Sequence, residues 1–348
     1  MNKYFAASNS AQGFYSYYNE CFGDADKLYI IKGGPGTGKS GFMKRCGVYA
    51  SGKGYKVEYF YCSSDPDSLD GVIIYKGSRK IAIIDGTSPH SCDLVYPGVR
   101  DNIINLGDSW DECELDKSRE EIFSLSEKKT EAYRVTYNAL RSCGNLLTVA
   151  DACIGKFLCR DKLEATAMKL VEKINPSGNR KSQVRLVDSV SMKGRVRFDT
   201  FERKAGKCVI IGDTYGTGHA MLYGIKRALD KCGGDYFVSY DPVCPTRING
   251  IFEISRGVSF LLSDSRIVLS DDGKIHYVNM KRFINKDATC MREELKYTMS
   301  LYKSCMELAV KHLEEASKHH FSLEEIYKRA MDFSSVNRKI EDFCAKVL

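Results

Sequence analysis

Eight residues near the amino end, Gly33-Gly34-Pro35-Gly36-Thr37-Gly38-Lys39-Ser40, have the spacing G-x-x-x-x-G-K-[ST]. Glycines at these positions let the backbone curl until successive amide hydrogens point inward, which suits the oxygens of a polyphosphate. A helix starting there adds positive potential at its amino end. The Lys39 ammonium is placed to bridge β- and γ-phosphates, and the Ser40 hydroxyl to ligate Mg²⁺. Expected phosphate contacts run through Gly33, Gly34, Pro35, Gly36, Thr37, Gly38, Lys39, Ser40 and Gly41.

A magnesium site needs a carboxylate nearby, and Ile81-Ala82-Ile83-Ile84-Asp85 offers one at the end of an apolar strand. Asp85 is the expected second Mg²⁺ ligand; its alternative is to cap the following turn. No Glu follows it to polarise an attacking water. His90 is the catalytic candidate for aligning one, with Asp93 beside it, although a loop His after Pro89 is equally a structural residue. Asp65 and Asp70 follow the preceding strand and either approach the metal or satisfy their own turns. Arg79 and Arg100 are candidates for neutralising transition-state charge, or else surface arginines.

These residues need a strand before the glycine turn and a helix after it. Leu28-Tyr29-Ile30-Ile31 and the pattern through Phe42, Met43 and Val48 supply them. The same sequence of elements returns later: Cys208-Val209-Ile210-Ile211, the turn GDTYGTGHA, then Met221, Leu222 and Ile225. Gly36, Thr37 and Gly38 align with Gly216, Thr217 and Gly218 at an offset of 180. Upstream, SNSAQGF ending at Phe14 aligns with DSVSMKGRV ending at Val196. Downstream, Asp65-Pro66 aligns with Asp241-Pro242, and Ile81 to Ile84 with Val258 to Leu262. Segments 115–174 and 288–348 are long, charged and helical in period, and each is expected to pack as a hairpin on its own half. The chain therefore reads as α/β: two tandem cores of three layers around parallel sheets, each with a helical extension. The halves are 1–178 and 179–348, divided in NPSGNRKSQ.

The second turn lacks the chemistry of the first. His219 stands in place of Lys39, Ala220 in place of Ser40, and Asp213 puts a carboxylate at its mouth. One working site and one degenerate copy are expected. With GGPGTGKS, CSSDPDSLDGVII, IIDGTSPH and DNIINLGDSWDE, the chain resembles an uncharacterised bacterial family of tandemly duplicated P-loop ATPases. The resemblance implies a P-loop nucleoside triphosphate hydrolase fold in each half and ATP as ligand. Gly33 to Ser40 would be the Walker A loop and Asp85 the Walker B acid.

The expected function is Mg²⁺-dependent ATP binding with hydrolysis of the β–γ bond. A nucleotide-kinase-like phosphotransferase and a non-hydrolysing ATP-dependent scaffold are the alternatives. Asn285-Lys286-Asp287 lacks the N-K-x-D spacing that reads guanine. Of 348 residues, 43% are hydrophobic and 28% charged, so disorder and collagen are excluded. No apolar run is long enough for a membrane helix, and no secretion signal opens the chain. Fourteen scattered cysteines without a C-x-x-C pair fit a reducing cytoplasm better than a disulfide scaffold. The net charge of +7 is carried by residues 173–207, with ten basic and three acidic side chains. A solvated linker is favoured there, with nucleic acid as the other partner.

Overall fold

The computed structural model describes all residues except 91, 214 and 265–273. The first half runs β1 (Asn2–Phe5), β2 (Ala7–Ser10), β3 (Gly13–Ser16), α1 (Tyr18–Phe22), β4 (Lys27–Lys32), α2 (Lys39–Gly52), β5 (Lys56–Tyr61), β6 (Leu69–Lys76), β7 (Arg79–Asp85), β8 (Asp101–Asn105), α3 (Glu112–Asp116), α4 (Arg119–Gly155) and α5 (Arg160–Ile174). The order then restarts with β9 (Ser182–Val184), β10 (Asp188–Ser191), β11 (Gly194–Arg197), α6 (Thr200–Lys204), β12 (Lys207–Gly212) and α7 (Gly218–Cys232). It finishes with β13 (Tyr236–Tyr240), β14 (Ile248–Glu253), β15 (Val258–Leu262), β16 (Lys274–Asn279), α8 (Arg292–Arg329) and α9 (Phe333–Val347). Among the described residues no helix is long and apolar enough to cross a membrane.

Each half builds a six-stranded sheet with the same order, β1-β5-β6-β7-β4-β8 and β9-β13-β14-β15-β12-β16. The expected parallel sheets are in fact mixed, because β6 and β14 run against both neighbours. The cause is connection length. Only Gly77 and Ser78 separate β6 from β7, with Gly77 in the left-handed region, and a parallel crossover needs a dozen residues or more. The repeat is otherwise legible, but two landmarks shift. Matching bulges at Phe60/Tyr61 and Ser239/Tyr240 place Cys62 opposite Asp241 and Asp65 opposite Cys244, so Asp65-Pro66 corresponds to Cys244-Pro245. The hairpin registers likewise put Phe14 opposite Arg195.

The two halves are related by a local two-fold axis, as in an isologous dimer, where each contact recurs with the partners exchanged. Equivalent residues Phe5 and Leu186 pair with each other as an antiparallel bridge. Ala11 N–H donates to Val243 O and, reciprocally, Met192 N–H donates to Ser64 O, each at 2.9–3.1 Å. One apolar core crosses this join, running from Phe22, Ile30 and Phe60 to Val209, Ile225 and Phe260. Inside it Arg185 Nε lies 3.0 Å from Glu58 Oε2, and both side chains are completely buried.

The helical extensions do not form hairpins on their own halves: α4 touches β2 and β3 of its own half, but its main partner is α8 of the other. Buried positions Ala132, Thr136, Ala139, Cys143, Leu147 and Ala150 form a stripe at helical spacing along α4, and it meets α8. Contacts of Thr136 with Ala309, Cys143 with Tyr302 and Cys153 with Glu294 fix the pair as antiparallel. The terminal helices are exchanged. The first half's α5 packs on α7, while the second half's α9 lies on α2 through Val336, Ile340 and Phe343.

Residues 173–207 are not a solvated linker. After Asn175 caps α5 in the left-handed conformation, the segment supplies β9, β10, β11 and α6. Arg185, Lys193, Arg195, Arg197 and Arg203 pair with Glu58, Asp67, Asp188 and Asp241, Glu202 and Asp199 respectively. Two of these pairs, Arg185 with Glu58 and Lys193 with Asp67, join the halves.

Candidate functional site

The glycine turn follows from its two flanking elements. Ile30 and Ile31 bury β4 in the sheet, and Phe42, Met43 and Cys46 bury α2 against it. The chain must reverse between them, with Gly36 at φ 69° and Gly38 at φ 93°, where a Cβ is strained. Thr37 Oγ1 donates to Gly34 O at 2.9 Å and closes the turn. Lys39 Nζ reaches back to Gly34 O at 2.7 Å and Gly33 O at 3.2 Å. It also lies 3.7 Å from Asp85 Oδ2.

Asp85 stands beside the turn because β7 pairs in parallel with β4, setting it opposite Ile31. Its Oδ1 accepts from Thr87 N at 2.8 Å and Thr87 Oγ1 at 2.6 Å, so one oxygen caps the loop and the other faces Lys39. Ser40 Oγ accepts from Leu69 N at 2.9 Å, which holds it against the start of β6. Lys39, Ser40 and Asp85 are therefore brought together at the carboxyl end of the central strands β4 and β7.

The remaining candidates separate. His90 is buried, its ring stacked on Tyr18 and meeting the edge of Phe14. Its Nε2 is 3.2 Å from Asp70 Oδ2, and its buried Nδ1 has no partner among the described residues. Burial alone would lower its pKa; the charge and hydrogen bond of Asp70, with Asp85 beyond, leave it above the usual imidazole value. Asp93 is exposed. Asp65 accepts from Asp67 N and Ser68 Oγ, a self-contained turn. Arg79 opens β7 and Arg100 immediately precedes β8, both at the end of the strands opposite Asp85, and Arg100 is bound to Asp101.

Sequence reasoning missed two contributors. Lys129 of α4 is half-buried, one turn before Tyr133, whose hydroxyl donates to Ser64 Oγ at 3.0 Å. Burial and then the charge of nearby Lys39 hold its ammonium below the usual lysine value. The one signal available was its spacing, four residues from half-buried Leu125 and Tyr133. The second contributor is α8. A Cβ on Gly34 would lie 2.7 Å from Tyr327 Cε1, and one on Gly36 would lie 2.5 Å from Glu324 O. The far end of the second half's long helix thus rests on the first glycine turn.

By the two-fold relation α4 reaches the second turn, where Asp151 lies 3.8 Å from His219 Nε2 and 2.5 Å from Arg247. Gly216 keeps φ 71°. The Asp213 carboxylate accepts from Gly218 N at 2.6 Å, so an anion from the chain itself already lies on the amide at the head of α7. Burial raises the Asp213 pKa, which that amide partly offsets. Strand register makes Leu262 the counterpart of Asp85. Comparison of the chain with protein families, with curated proteins and with solved structures gives no match.

Proposed function

We propose that the first glycine turn binds a magnesium nucleoside triphosphate, ATP, and hydrolyses its β–γ bond in a P-loop fold, while the second turn is a structural copy. One observation carries this reading. The three groups that phosphate and Mg²⁺ require, Lys39, Ser40 and Asp85, meet at one place in the first half, and all three are replaced in the second by His219, Ala220 and Leu262.

In this reading the amides of residues 33–40 and the amino end of α2 receive the phosphates, and Lys39 exchanges its carbonyl contacts for phosphate oxygens. Lys129 adds a second cation from α4, which suits a triphosphate better than a single phosphate. Ser40 and Asp85 hold the metal. Because Glu324 and Tyr327 rest on the turn, filling it is felt at the end of α8, and the paired helices carry that to Asp151 at the second turn. The pairing of five basic residues within 173–207 argues against nucleic acid as the partner of that segment. All fourteen cysteines are free thiols, in keeping with a reducing cytoplasm.

The test is phosphate release from ATP and Mg²⁺ without any acceptor. Release that needs Mg²⁺ and disappears in Asp85→Asn is expected. ADP formation only with an added acceptor would make the protein a phosphotransferase, and binding without turnover a scaffold. Failure to bind any magnesium nucleotide removes the proposal.

A further inference from the structure

Three donor groups outside the glycine turn converge at the same end of the first sheet. Cys62 follows β5, Asp70 sits at the start of β6, and His90 lies in the loop after β7. Their sulfur, carboxylate oxygen and ring nitrogen lie within 4.8 Å of one another. Asp70 and His90 are buried, and Cys62 is half-buried. A tetrahedral ion with bonds of about 2.0–2.3 Å holds neighbouring donors roughly 3.3–3.8 Å apart. Asp70 and His90, at 3.2 Å, are already close to that span.

The second half is built differently at the corresponding positions. There the counterpart of Cys62 is Asp241, and Arg195 lies 2.8 Å from its carboxylate. Arg195 itself corresponds to Phe14, whose ring lies 4.8 Å from His90. In the first half a thiol, Cys62, thus stands for the acid and an apolar ring for the guanidinium. Among the described residues Asp70 pairs with no Lys or Arg. A divalent ion bound by one thiolate, one carboxylate and one neutral imidazole gives a site of zero net charge, which a buried position favours.

We propose that Cys62, Asp70 and His90 bind a zinc-class divalent cation, at a site separate from the magnesium position at Ser40 and Asp85. Sulfur and nitrogen donors select such an ion over Mg²⁺, which takes oxygen ligands. Three protein donors leave a fourth position for water. The ion ties together the chain following β5, β6 and β7 and so fixes the loop leaving Asp85. The inference stands whether or not the turn binds nucleotide.

Titration of the chelator-treated full chain with Co²⁺ tests it. One equivalent should produce a thiolate-to-cobalt charge-transfer band, absent in Cys62→Ser and retained in Lys39→Ala. No band at one equivalent, or a band that survives in Cys62→Ser, overturns the proposal. Should Cys62→Ser fail to fold, the isosteric Asp70→Asn decides: Co²⁺ affinity must fall at least about tenfold, and unchanged affinity overturns the site.

Discussion

The two glycine turns share one left-handed glycine, part at the next, where Gly38 is left-handed but Gly218 opens α7, and differ in almost every side chain that could act on a phosphate. Gly36 and Gly216 have φ of 69° and 71°, each turn joins a buried strand to a helix, and each lies at the same place in its sheet. Yet Lys39, Ser40 and Asp85 on one side face His219, Ala220 and Leu262 on the other, and Asp213 has brought its own carboxylate to Gly218. Each turn receives the far end of the opposite half's long helix, Glu324 and Tyr327 at the first and Asp151 at the second. The packing is unequal as well: α8 lies directly against Gly34 and Gly36, whereas a Cβ on Gly216 would meet nothing within 4 Å.

The halves also differ where they join, and the largest predicted effect lies there. Tyr4 and Arg185 occupy equivalent edge positions, but only Arg185 carries charge, and it meets the fully buried Glu58. Arg185→Met leaves that carboxylate buried without its partner and is expected to cost about 3–5 kcal/mol in urea unfolding. Replacing Glu58 by Met as well should recover most of the loss. Burial pushes the Glu58 pKa up, but Arg185 and then Lys56 bring it below the ordinary glutamate value. Its folded pKa is therefore the lower one. The stability it contributes is present above the unfolded pKa of about 4.3 and is lost as pH falls through the folded value. Arg185→Met should flatten that acid limb; an unchanged limb would show that the pair does not join the halves as described.

Next comes the contrast between the turns themselves. Lys39→Ala is expected to lower ATP turnover by about 100-fold or more and to weaken nucleotide binding, since it removes a preorganised charge from the phosphate site. His219→Ala should leave both unchanged. Equal losses would break the asymmetry, and a loss confined to His219→Ala would reverse it.

Much of this was legible in the sequence because the signals are local. The strand, turn and helix around Gly33–Ser40, and Asp85 at the end of an apolar run, need only periodicity and spacing to be read. The duplication was legible too, though the loop after β5 was misaligned by three residues because bulges, not the Asp-Pro pair, set the register. The exchange of α5 and α9 was not legible. An amphipathic helix states that it has a buried face but not which half supplies the partner. The arginines of 173–207 misled for a related reason: charge density in sequence does not reveal carboxylates such as Glu58 and Asp241, which come from other segments. Lys129 was hidden because a lysine in a long charged helix reads as solvated.

The smallest effect tests how α8 meets the first turn and not the second. Gly36→Ala and Gly216→Ala impose the same left-handed strain, about 1–2 kcal/mol each. They differ in what the new methyl group meets. At Gly216 nothing lies within 4 Å, whereas at Gly36 the carbonyl oxygen of Glu324 is 2.5 Å away. That oxygen belongs to helical backbone and cannot rotate aside as a side chain would, so α8 must lift or the turn must distort. Overpacking of this kind costs typically a further 1–3 kcal/mol. The difference between the two variants in urea unfolding therefore isolates the contact between α8 and the first turn, with backbone strain cancelled. A difference of about 1 kcal/mol or more, at equal slope, supports the long helix as the element that rests on the turn. Equal losses would mean that α8 stands off the turn in solution, and occupancy of the first site could then not be transmitted along it.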